Sequence, residues 1–473
     1  MMRDMDRPRW VLRIGVAAAG AMVIAACNVK DELLAPQNPG LIDPSAVTSP
    51  AAAYALKVGA VGKTRVVVDG AGSSGNCNSN SECLWEEIGN LTDEYHNSDF
   101  QNTRQDIDQR SVSDDNPSIS YTPVTQSRGF IRDAIGAVRQ FIPDSIADLG
   151  EMYNSLGFLE MSLAENFCNG IPLGHTVNGE ITYGAPLTDA QVLDSAAAHV
   201  DSALAINTGS SAQAAFIKQQ SLLLKARILV DQGKFAQAAA LVPTSAVPTS
   251  YNYFFATSAS KGESFGIWSI VNSVARLSVS DSFEIVNGVP TTTKNALPFV
   301  SAHDPRVPTT DGKLASPAVA PEDATTPMFI QNIWSRFDPV AMVSGIDARL
   351  IEAEAKLNAS DIPGMMSILN ALRAAPPKIS NYQPAAMPAL PTPTSQDAAT
   401  TLFFREKAFW TFGRGQRLND DRRQLRQYKR TEDQVYPTGS YFKGGSYGHT
   451  IQFPVASAEK ANPLFTGCID RNP

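Results

Sequence analysis

Ala215–Val242, AFIKQQSLLLKARILVDQGKFAQAAALV, is the stretch that decides the fold. Leu222, Ala226, Leu229 and Val230 fall at i, i+4, i+7 and i+8, one apolar face of a helix. Gly233 stands where a helix C-terminus needs a residue tolerant of positive φ. Phe235, Ala238, Ala239 and Val242 then begin a second apolar stripe, which Pro243 stops. The spacing predicts a tight helical hairpin. Its Leu-x3-Gly-x-Phe-x2-Ala pattern is that of tetratricopeptide-type units, where small residues let the second helix lie close against the first.

One hairpin cannot bury its own face, so partners are expected. Leu350, Ala353 and Leu357 lead through Asn358 into Ile362, Met365, Met366, Leu369 and Leu372, closed by Pro376 and Pro377. A third pair runs from Met152, Leu156, Leu159 and Leu163 to Val192, Ala196, His199 and Ala203, its second helix opened by the capping box Thr188-x-x-Gln191. Phe130, Ala134, Val138 and Phe141 form a fourth helix before them. Each stripe alone is only a core helix. Together they predict a mostly α scaffold of tetratricopeptide-like pairs, a single domain over residues 51–473, with loop and short-strand insertions at about 70–122 and 244–339.

The 473 residues are 43% hydrophobic and 18% charged, ordinary for a globular chain. A net charge of −8 and the lack of a basic patch argue against a nucleic-acid partner. The densest basic run, Arg422, Arg423, Arg426, Lys429 and Arg430, reads as a solvated helix face.

Arg3, Arg7, Arg9 and Arg13 precede the short apolar run Ile14–Ala26, which reads as a secretory signal over residues 1–26. It closes on Ile24-Ala25-Ala26-Cys27, which resembles a bacterial lipobox: Cys27 would carry diacylglycerol and palmitate and anchor the chain through a tether at 27–50. Asn28-Val29-Lys30-Asp31-Glu32 resembles the export signal of surface lipoproteins. Cys77, Cys83, Cys168 and Cys468 remain, an even number in an exported chain, hence disulfides with three possible pairings. Their spacing does not suit zinc and there is no HExxH, so neither metal nor cofactor is expected.

Along the chain, a first helix is expected at Ala51–Val61. Residues 70–81 form a Gly/Ser/Asn-rich loop without the Gly-Lys-Ser/Thr ending of a phosphate loop. Leu84–Tyr121 reads as a polar surface subdomain. Phe265–Val271 and Phe283–Val286 read as strands, and Ala374–Thr400 as a Pro/Ala-rich loop.

Four stretches carry a family resemblance: KDELLAPQNPGLID behind Cys27; Leu91-Thr92-Asp93-Glu94-Tyr95 with Ile107-Asp108-x-Arg110; the opening hairpin continued into Val247-Pro248-Thr249-x-Tyr251-x-Tyr253; and Arg405-Glu406…Gly413-x-Gly415-Gln416-Arg417-Leu418-x-Asp420-x-Arg422-Arg423, with Tyr436-Pro437-x-Gly439 and Phe453-Pro454 after it. The chain resembles the SusD/RagB family of outer-membrane nutrient-binding lipoproteins over nearly its whole mature length. It departs from the family at Phe412 and Asp421, where an acidic residue and a leucine are usual. The resemblance implies four tetratricopeptide-like pairs, an outer-membrane lipoprotein exposed at the surface, and a SusC-like TonB-dependent barrel as partner. It also implies a small-polymer nutrient held by the inserted loops.

Arg405, Gly415, Arg417, Asp420 and Arg423 read as a structural motif of ion pairs and tight turns. Gly262-Glu263-Ser264-Phe265-Gly266 matches the G-x-S-x-G elbow but lacks the strand–turn–helix context, and His303 and His449 have no βαβ frame. The pairs Glu86-Glu87 and Asp93-Glu94 are adjacent and would diverge rather than face each other across a cleft. The chain reads as non-catalytic. For ligand binding the aromatic candidates are Trp85, Tyr95, Phe100, Trp268, Trp334, Tyr441 and Tyr447, with Tyr436 and Phe442 in the same Gly-rich loop as the last two. Two other readings stand beside capture: a periplasmic tetratricopeptide adaptor, and a surface hydrolase acting through Ser264.

Overall fold

The computed structural model describes residues 47–70, 83–177, 180–261, 263–286 and 289–473. Capping chemistry places most helix starts. Ser49 opens α1 (Pro50–Asp69) by accepting from Ala52 N–H. Then follow α2 (Leu84–Leu91), α3 (Asn102–Asp108), α4 (Tyr121–Phe141) and α5 (Ile146–Asn166). Thr188 and Gln191 form the expected capping box on α6 (Asp189–Ile206). Ser211 caps α7 (Ala212–Asp231), and α8 (Phe235–Leu241) turns back after Gly233, whose φ is +75°. Ser344, Asp361 and Ser395 cap α9 (Gly345–Asn358), α10 (Ile362–Ala374) and α11 (Gln396–Thr411). Beyond these lie α12 (Arg417–Arg426) and the single turn α13 (Glu432–Val435).

Each long helix packs on the next: α4 on α5, α5 on α6, α6 on α7, α7 on α8, α8 on α9 and α9 on α10, while α1 lies along α4. The fold is mostly helical, built from tetratricopeptide-like pairs. The closest of these contacts needs a glycine, since a Cβ on Gly157 of α5 would stand 2.7 Å from Val200 Cγ2 of α6. The pair at 215–242 forms as expected, but α7 has no single buried stripe. Ile217, Leu223, Leu224, Ala226, Ile228, Leu229 and Val230 are all buried while Leu222 is half-buried. The reason is that α7 touches α5, α6, α8 and α9 and the strand Val340–Ser344.

The insertions form short antiparallel pairs. Asn252–Phe255 pairs with Val340–Ser344, Thr309–Asp311 with Phe329–Gln331, and Phe283–Val286 with Val289–Thr292. Tyr95–Asn97 pairs with Leu277–Val279, so the two insertions meet each other. Three boundaries differ from expectation. The first helix runs on to Asp69, because Val67 and Val68 are fully buried. Phe265–Val271 is not a strand: its β-branched residues enter a π-helical turn, Trp268–Ser273. The loop after α10 ends at Ser395 rather than Thr400, where the serine cap starts α11.

Two larger expectations are overturned. The segment at 84–121 is no surface subdomain, for every residue of α2 and of Tyr95–Asp99 is buried. Nor is the basic run a solvated face: Arg422 and Arg423 are wholly buried, Arg426 and Arg430 half-buried, and only Lys429 is exposed. Both segments are polar in sequence because they pair with each other and with neighbouring helices. Cys168 is joined to Cys468 across 300 residues, fastening the C-terminal strap to the end of α5. Cys83 is also disulfide-bonded. The signal segment, Cys27, most of the tether and Cys77 lie outside the described residues. Among those described, no helix is long and apolar enough to cross a membrane.

Candidate ligand-binding groove

The motif at 405–423 is a clasp. Gly413 and Gly415 both have positive φ, +66° and +62°. A Cβ on Gly415 would overlap the Trp85 indole at 1.9 Å, and one on Gly413 would meet Tyr95 Oη at 2.7 Å. The glycines therefore let α2 and Tyr95 seat against the turn before α12. Ionic contacts lock the seat. Arg417 donates to both Asp93 oxygens, Nε to Oδ1 at 2.6 Å and Nη2 to Oδ2 at 3.0 Å, and pairs with Asp421 at 2.9 Å. Gly413 N–H donates to Glu94 Oε1 at 3.0 Å. Arg423 pairs with Glu354 of α9, with Asp420 at 3.0 Å and with Asp231 of α7 at 3.7 Å. Asp420 also takes Lys407 Nζ at 2.6 Å. Arg405, half-buried over the Phe409 ring, pairs with Glu406 at 3.6 Å rather than with the Asp420 group.

Burial pushes the Glu94 carboxyl up to about 8, against the opposing Gly413 N–H. Burial likewise raises Asp108 to about 7, opposed by Asn97 N–H and the Tyr441 hydroxyl. These groups hold the insertion in place; they line no open cleft. A void of about 20 Å³ beside Arg423, Asp420 and Asp231 has room for one water and no nutrient.

The second insertion, joined to this first one by the pairing of Leu277–Val279 with Tyr95–Asn97, presents an open groove of about 810 Å³, within the range of ligand clefts. The π-helical turn supplies Trp268 and, four residues on, Asn272. Thr310 and Asn332 come from the paired segments beside it, Asn332 Nδ2 donating to Thr310 Oγ1 at 2.7 Å. Asn272 Nδ2 donates to Gln331 O at 2.7 Å and Gln331 Nε2 donates to Asn272 Oδ1 at 3.0 Å, which fixes the plane of this amide. The far wall is the loop Leu314–Ala320, with Leu314 at its tip, 79% exposed. Val319 N–H donates to Gly312 O at 2.9 Å and closes this loop. No groove-lining side chain among the described residues is charged. At one edge Ser98 Oγ donates to Ala275 O at 2.8 Å, so Phe100, 68% exposed, stands two residues from the groove wall.

Of the predicted aromatics, only Trp268 lines this groove. Phe100 is exposed but is not among the lining residues, and Tyr447 is half-buried in the loop that Lys443 ties to Asp99 O at 2.7 Å and Asp323 at 2.8 Å. Four others are corrected. Trp85 is buried on Phe255 and the Gly415 turn, Tyr95 on Phe412, and Trp334 edge-on to Phe265. Tyr441 lies wholly buried, donating to Asp108 at 2.8 Å. They are core anchors of the insertion and cannot stack on a ligand. Tyr436, stacked under Arg110 at 4.4 Å, is equally buried. The amides Asn272 and Asn332 escape sequence reading. A strand reading of 265–271 stops one residue short of Asn272, and only the exposed Asn332 between buried Gln331 and Ile333 hints at a facing residue.

Ser264 is fully buried and shares a hydrogen bond of 2.8 Å with Ser269 Oγ. Among the described residues no strand leads into it, so it lacks the exposed turn of a nucleophile elbow. Glu86 and Glu87 point to different partners, Glu86 capping α2 and Glu87 accepting from Ser120 Oγ at 2.8 Å. Among the described residues no group of three or more His, Cys, Asp or Glu side chains is placed to hold a metal ion.

No protein-family model matches the chain, and no curated protein does. Solved structures do. A SusD superfamily protein from Bacteroides vulgatus superposes with a TM-score of 0.57 at 14% identity, over 89% of this chain and 99% of its own. A laminarin-binding SusD-like protein gives 0.58 at 14% identity, over 89% and 99%. A SusD-like protein from Bacteroides fragilis gives 0.58 at 12% identity, over 90% and 98%. With the helical pairs and the glycine–arginine clasp already in view, the whole described unit of this chain has the SusD-like fold.

Proposed function

We propose that this chain is a lipid-anchored, surface-exposed protein that captures a nutrient polymer and hands it to a TonB-dependent outer-membrane barrel, without covalent chemistry of its own. The observation that carries capture is the groove: one indole, two amides and three hydroxyls in the second insertion of a SusD-like fold. A flat apolar face with a few polar groups around it suits a sugar ring, whose two sides differ in the same way. The similar structures include a laminarin-binding SusD-like protein and a SusD-like carbohydrate-binding protein, which favours glycan over peptide. The anchor at Cys27 and the barrel partner rest on the lipobox and on the family resemblance.

Affinity electrophoresis of the full-length protein through gels containing single polysaccharides tests the capture. At least one glycan retards the protein, and Trp268→Ala weakens that retardation about tenfold, on the order of 1.4 kcal/mol. Equal retardation of the variant would move the site elsewhere. Pull-down from native membranes in mild detergent tests the partner: a large barrel should copurify in near-equal amount. Resistance to protease added to intact cells would favour a periplasmic adaptor instead.

A further inference from the structure

We infer that the groove selects an uncharged glycan: its ligand is a neutral oligosaccharide rather than a uronate-rich or sulfated one or a charged peptide. This rests on the nutrient-binding reading above and narrows it. The groove-lining side chains described are the Trp268 indole, the amides Asn272 and Asn332, hydroxyls and aliphatics, with no charge among them.

Charges flank the groove without lining it: Lys313 and Asp311, of opposite sign, adjoin the wall residues Leu314 and Thr310 in the chain, and the other neighbours are engaged. Arg276, next to the wall residue Ala275, pairs with Glu322 at 2.7 Å and lies 3.9 Å from Asp99. Lys443 is held by Asp323 at 2.8 Å. Arg336, not itself among the lining side chains, lies over the Trp268 ring at 5.6 Å and the Phe337 ring at 5.0 Å, contacts that leave its charge in place. A carboxylate or ammonium entering such a groove loses water and gains no counter-charge from the side chains that line it, a net cost. The chain's net charge of −8 adds a weak repulsion of polyanions.

What the groove offers also fits neutral sugars. Asn272 and Asn332 each use one N–H on the protein and keep another, beside acceptor capacity at the carbonyl. Vicinal sugar hydroxyls both donate and accept, so they match an amide; a carboxylate only accepts and an ammonium only donates. The C–H face of the ring stacks on Trp268, and Leu314 with the small residues behind it covers the other apolar surface.

The test is calorimetric titration of the full-length protein in detergent. The panel is neutral hexasaccharides (β-1,3-glucan, α-1,4-glucan, β-1,4-xylan), acidic oligomers (polygalacturonate, alginate) and lysine- or glutamate-rich peptides. Each is measured at about 20 and about 500 mM sodium chloride, a range over which exposed charge pairs are screened out. At least one neutral glycan should bind with a Kd that changes less than about twofold with salt. Asn332→Asp, at an exposed position, should weaken that ligand about fivefold or more, since its carboxylate donates nothing. Binding confined to acidic oligomers or charged peptides, weakened tenfold by salt and lost in Arg336→Gln, would overturn the inference and leave capture intact. Binding of nothing in the panel at millimolar concentration would overturn the capture reading and the inference with it.

Discussion

Gly415 is the residue at which sequence, packing and function meet. Its positive φ and the 1.9 Å clearance to Trp85 allow no side chain, so the turn before α12 closes on α2 and holds the whole insertion. Glu94, in the same seat, shows how burial sets protonation. The folded side chain keeps its proton up to about pH 8, whereas the unfolded one loses it near pH 4.3. Between those values the folded state carries the extra proton, so this group's contribution to stability falls as pH rises from about 4 to 8. Glu94→Gln mimics the protonated form and keeps an acceptor for Gly413 N–H. Urea denaturation should show no change near pH 4 and a higher midpoint for the variant near pH 8, flattening the pH profile. A loss of stability at both pH values would contradict this account. Seven aromatics were legible in the sequence as candidates, but their exposure was not. Trp85, Tyr95, Trp334 and Tyr441 lie among polar neighbours that look like surface and are in fact paired beneath it.

At the scale of elements, the helical pairs were the readable part. A hairpin writes itself in local spacing: the Thr188 box, the Gly233 turn and the prolines after α10 each act within a few residues. Helix α12 is the counter-case. RLNDDRRQLR reads as a solvated face, yet Arg422 reaches Asp189 at 2.6 Å and Arg423 reaches α7 and α9. Its partners lie roughly 70 to 230 residues away in the chain, beyond any periodicity. Burying such pairs stabilises little by itself, but removing one member strands the rest. Arg423→Ala should therefore cost about 3–5 kcal/mol of unfolding free energy in urea titration. Arg423→Lys, which keeps a charge but loses the planar fork, should cost visibly less. A cost below about 1 kcal/mol for the alanine variant would show that Glu354 and Asp231 are not held by this arginine.

At the scale of the whole molecule, the helical pairs are a platform and the proposed ligand groove belongs to the insertions. The two insertions, distant in sequence, join through Tyr95–Asn97 and Leu277–Val279, and the groove lies within the second, where its 268–275 and 310–332 segments converge. That convergence was not legible, because no local signal reports which loops will share a wall. Trp268 could be named from the sequence; Asn272, Leu314 and Asn332 become a site only once the chain is folded. The central claim is that the groove is where the nutrient sits, and it is tested most directly by a crystal structure of the protein grown with the neutral oligosaccharide it binds best. We predict sugar density stacked on the Trp268 indole, with hydroxyls on the Asn272 and Asn332 amides and Leu314 over the ring. An oligosaccharide ordered elsewhere on the molecule, with the groove holding only water, would contradict the account.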